Sequence, residues 1–74
     1  MFSDKQASKI MLDHAFEVSR MLNLSLLDTQ SLATPEEFSA AKQSIGKCMA
    51  EVLFEVINPI IKRHPELAPP DWHR

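Results

Sequence analysis

A single cysteine, a single glycine and no tyrosine stand out among the 74 residues. One thiol, Cys48, excludes a disulfide framework within the chain. One glycine, together with the lack of alternating Val, Ile and Thr segments, argues against strands and the tight turns that join them. No apolar run approaches the ~20 residues that cross a bilayer. Even the apolar-rich stretch VLFEVINPII, residues 52–61, is interrupted by Glu55 and Asn58. An excess of one charge is missing too. The net charge is −2; residues 1–37 carry three basic and six acidic side chains, and residues 38–74 carry five and four. Neither half offers the basic surplus that binding to a phosphate backbone requires. The histidines and the cysteine, at positions 14, 48, 64 and 73, do not make a structural zinc spacing, and Gly46 alone makes no phosphate-binding loop.

What remains is one small domain. A core of this size seldom supplies more than ~3–5 kcal/mol, and small chains add disulfides, a metal or further copies of themselves. With the first two excluded, oligomerisation is the expectation. The opening MFSDKQASKIML has early charges and no long apolar region, unlike a signal peptide, so a soluble, cytoplasmic protein is expected.

Two helices are predicted. The clearest punctuation is LATPEEF: Thr34 is placed to cap, Pro35 to open the helix and Glu37 to close a capping box. Helix 1 is expected over about residues 4–27, with Met11, Ala15, Val18 and Leu22 as its buried centre and Lys9, Asp13, Glu17 and Arg20 opposite. Helix 2 is expected over about 35–57. Matched lengths and a short loop read as an antiparallel hairpin. At Asn58-Pro59 two readings stay open, a kink in a continuing helix or a stop and restart. The proline-rich tail, 64–74, is expected to run extended, with Trp72 against the bundle or across a dimer boundary.

Helix 2 carries one stripe, Phe38, Ala41, Ile45, Cys48, Val52 and Val56, that suits a facing helix. On a regular wheel Gly46, Leu53 and Ile57 lie about 80–120° from it, and Ala50, Phe54 and Ile61 further still. Helix 1 cannot cover both faces. A homodimeric four-helix bundle is the simplest cover, with Gly46, Ala50, Leu53, Phe54, Ile57 and Ile61 between protomers or against a partner, and Met21 and Trp72 at its margin.

Candidate chemistry is thin. His14 and Glu17 have an i, i+3 spacing that can share a metal on a helix, but the pair is common by chance, and a histidine at a bundle margin is the plainer reading. Cys48 falls on the inner stripe and reads as core packing rather than as a nucleophile. Glu51 and Glu55, with Lys47 and Lys62, read as a solvated face rather than an acid–base pair, which would need a cleft. Neither a catalytic residue nor a cofactor is expected. An RNA-binding helical-hairpin dimer is the alternative function, on fold analogy.

The segments ASKIMLDHAFEVSRMLN and EEFSAAKQSIGKCMAEVLFEVINPIIKRHPELAPPDW resemble a group of short uncharacterised bacterial proteins. The shared pattern is an acidic-aromatic helix start, I-G-K-x-M, E-V-I-N-P and a proline-rich end. The resemblance implies a bacterial helical hairpin and carries no activity. The expected function is therefore that of a small non-enzymatic interaction or regulatory protein.

Overall fold

The computed structural model describes residues 2–72, so the last two residues of the tail lie outside the described residues. Helix α1 spans Lys5–Thr29, a short 3-10 turn follows at Gln30–Leu32, and helix α2 spans Pro35–Val52. A π-helical turn, Leu53–Ile57, joins α2 directly to α3, Asn58–Arg63. A second 3-10 turn, Pro65–Leu67, opens the tail. There is no strand among the described residues, and the fold is an all-α helical hairpin of about 45 × 20 × 16 Å.

The helix starts have local causes. Asp4 caps α1 by accepting a hydrogen bond from the Ala7 amide at 2.9 Å. Thr34 accepts from the Glu37 amide at 3.1 Å while Glu37 accepts from the Thr34 amide at 2.9 Å, so two donors otherwise left free are satisfied reciprocally. Pro35 at the first position costs nothing, because that amide has no partner in a helix anyway.

At Asn58-Pro59 the helix does not stop but continues through the π-turn into α3. In a regular α-helix the Pro59 ring would press on the Glu55 carbonyl and the amide bond to it would be missing. One residue is accommodated as a π-turn instead: the Asn58 amide reaches back five residues to the Leu53 carbonyl, and Asn58 keeps helical angles of −61° and −44°. The extra residue turns everything after it by about 100° relative to a regular wheel. Ile57 and Ile61, expected on an outer face, are thereby brought inward and are 3% and 2% exposed, beside Ile60 at 1%.

These three isoleucines pack with Leu12 and Ala15 of α1 to form the core. Phe16, Val52, Leu53, Val56, Leu67, Ala68 and Trp72 close around them. The tail therefore docks on its own chain, with Trp72 edge-on to Phe16 at 6.1 Å between ring centres. It does so through short turns rather than as the extended segment expected. The Leu67 amide bonds the His64 carbonyl, Ala68 bonds Pro65, and Trp72 bonds Pro69. Proline supplies the fixed φ that such turns use.

The core occupies one end of the hairpin. Over its eighteen residues α2 contains none that is buried.

Candidate interaction surface

The inward face of α1 is the series Ser8, Leu12, Ala15, Ser19, Leu22 and Leu26, all buried or half-buried. Its spacing of 4-3-4-3-4 is that of a helix seam. This corrects the expected centre, since Met11 and Val18 are 38% and 48% exposed. They belong to a second series with the same spacing, Ala7, Met11, His14, Val18, Met21 and Ser25, about 100° around the helix. Apart from the half-buried Ala7, every member is exposed, Met21 to 55%.

No member of that second stripe is an acid, a lysine or an arginine. The charges of this part of α1 lie elsewhere on the helix and pair among themselves. Lys9 meets Asp13 at 2.8 Å, and Arg20 binds Glu17 through both of its oxygens. The hydrogen bond from Arg20 holds the Glu17 carboxyl below the usual carboxylate range. His14 lies with Nδ1 2.8 Å from the Ile10 carbonyl, to which it donates, so the ring is tied to its own helix. The His14 and Glu17 side chains are each engaged with a different partner, and the i, i+3 pair does not converge.

Of the other residues expected at an interface, Phe54 is 63% exposed and Gly46 is exposed with open space where a Cβ would stand. Ala50 is half-buried, and Leu53 and Trp72 pack against the chain's own core. Cys48, expected inside, is exposed. The α2 residue that half-buries at that level is Met49. Glu51 and Glu55 are exposed, as are Lys47 and Lys62. A shallow depression over the first turns of α2 is lined by Pro35, Glu36, Ser39, Ala40 and Gln43, with Glu36 its only ionisable side chain.

At the end that holds the core, Phe2 and His64 meet beside the start of α1. The Phe2 carbonyl accepts from the fully buried Ser8 hydroxyl at 3.3 Å and from His64 Nε2 at 3.0 Å. His64 Nδ1 faces the Glu66 carboxylate at 3.5 Å, and Lys5 reaches the same oxygen at 4.0 Å. The Glu66 carboxyl is held below its ordinary range, first by its own backbone N–H and then by the charges of Lys5 and His64. Sequence reasoning missed this clasp, because nothing in the spacing joins residues 2 and 64.

Comparison with protein-family models, with curated proteins and with solved structures finds no match. Among the described residues no helix is long and apolar enough to cross a membrane.

Proposed function

We propose that this chain is a small non-enzymatic interaction or regulatory protein that works as a homo-oligomer, a dimer or a tetramer, in a bacterial cytoplasm. One observation carries the reading: an eighteen-residue helix, α2, with no buried residue, in a chain whose core is confined to one end. A helix of that length normally derives its stability from a covered apolar face. Phe38, Ala41, Ile45, Met49 and Val52 are only half-covered by α1. Docking a second hairpin would complete the covering and form a four-helix bundle. The RNA-binding alternative draws no support from α1, where Lys5, Lys9 and Arg20 each lie within 4.0 Å of a carboxylate.

The test is solution mass by light scattering over a dilution series from the high micromolar range. The expected result is a dimer or tetramer mass that falls on dilution. A folded monomer at every concentration overturns the self-association reading and points to a different partner.

A further inference from the structure

We propose that α1 pairs antiparallel with α1 of a second copy, across a two-fold axis that passes between His14 and Val18. This rests on the self-association reading above and assigns it a surface. Read in order the second stripe of α1 is Ala7, Met11, His14, Val18, Met21, Ser25. By size that is small, long, medium, medium, long, small, and its 4-3-4-3-4 spacing is the same in both directions. An antiparallel two-fold sets Ala7 opposite Ser25 of the partner subunit, Met11 opposite Met21 of the partner subunit, and His14 opposite Val18 of the partner subunit. Every layer then combines one residue of each heptad phase, as antiparallel helix seams do. Two copies of a stripe with this symmetry fit each other, whereas an arbitrary partner has no reason to share it.

Charge points the same way. The stripe contains no aspartate, glutamate, lysine or arginine, and Glu17 at its rim is paired with Arg20 of its own helix. A nucleic acid or a charged peptide would find no lysine, arginine, aspartate or glutamate there to pair with, while an apolar helix face of the same length loses nothing. Two flexible methionines on either side of the axis suit a seam that must adjust to its own image. The second stripe lies about 100° from the one facing α2, which is where a helix in a four-helix bundle meets its second neighbour. The contact is small. Six partly covered side chains give the α1 seam alone roughly 300–400 Å² a side, against roughly 800 Å² in a standard interface, so even with the α2 face added the dimer is expected to be reversible.

The experiment combines Val18→Glu with cysteine pairs in a Cys48→Ser background. Val18 is exposed and is not among the residues around the core, so V18E is expected to keep the circular dichroism of the parent. Its self-association should weaken by at least tenfold. A mixture of M11C and M21C proteins treated with a short thiol–thiol crosslinker is expected to give the mixed M11C–M21C product in excess over M11C–M11C. Excess M11C–M11C product would make the pairing parallel and overturn the proposal. An oligomer that persists in V18E without crosslinking at these positions would overturn it too, while leaving self-association standing. A parent protein monomeric at every concentration would remove both.

Discussion

Glu66 sits where the tail, the end of α3 and the start of α1 come together. Its depressed carboxyl makes that junction acid-sensitive. A group whose folded-state value is lowered contributes stability that is present above its unfolded value and lost as pH falls through the folded one. Acidification below the ordinary carboxylate range, about 4.3, should therefore loosen the tail from Phe16. Trp72 is the only tryptophan, so its emission reports that docking directly. The expected outcome is a red shift of the emission on acid titration, reduced or absent in Glu66→Gln. An equal shift in E66Q would assign the acid step to another carboxylate. Glu17 is lowered as well, by Arg20, so a global unfolding titration would mix the two. The local probe separates them. At this same scale the capping box at Thr34 shows what a sequence states outright. Both reciprocal bonds, 3.1 and 2.9 Å, join residues three apart, and the residue types that make them are visible without any fold. The clasp of Phe2 by Ser8 and His64 is the opposite case, a contact across sixty-two positions that only the closed hairpin creates.

For the elements, the hairpin could be read from helical periodicity and caps, but the faces could not, and two physical reasons account for it. First, α1 carries two equal stripes about 100° apart, and any search for one apolar face returns the direction between them. Met11, Ala15, Val18 and Leu22 are that intermediate direction; the buried series runs one step over, through Leu12 and Ser19. Second, a regular wheel assumes a constant turn, and the π-turn at Leu53–Ile57 breaks it. From its last residue onward the wheel shifts by about 100°, which moves Ile57 and Ile61 from an apparent outer face into the core. The signal available beforehand was Asn58-Pro59 inside an apolar helix, a proline that must be accommodated somewhere. The account is testable because a π-turn behaves as one inserted residue. In a Pro59→Ala background, deletion of the exposed Glu55 should restore a regular helix and leave Ile57, Ile60 and Ile61 facing α1. Its unfolding free energy should stay within about 1 kcal/mol of the P59A parent, the range of a mild substitution. Insertion of an alanine at the same point should rotate the isoleucines outward. At roughly 1.5–3 kcal/mol for each side chain, that loss approaches the whole stability of so small a domain. Denaturant melts of the three proteins decide it. If deletion and insertion prove equally damaging, the π-turn is not a removable register shift.

As a whole the molecule is lopsided. Leu12, Ala15, Ile57, Ile60, Ile61 and the docked tail give one end a core, while the far end, where Leu27 and Leu32 are exposed beside the loop, has no buried residue among those described. Opening free energies in a protein follow buried apolar contact, so protection from hydrogen exchange should be graded along the 45 Å axis. In dilute protein the amides of residues 8–16 and 57–61 should exchange slowest, near the global limit. Those of residues 22–29 and 35–45 should exchange markedly faster despite intact helical hydrogen bonds. The gradient also bears on assembly. A second copy seated along α1 raises protection in proportion to occupancy, so the fast region should slow as concentration rises through the micromolar range. The effect should be largest at residues 22–25, where the fast region meets the stripe, and V18E should abolish the concentration dependence while keeping the gradient. Uniform protection at low concentration would show that the open end is stabilised within the single chain. The half-covered α2 would then give no reason to expect a partner.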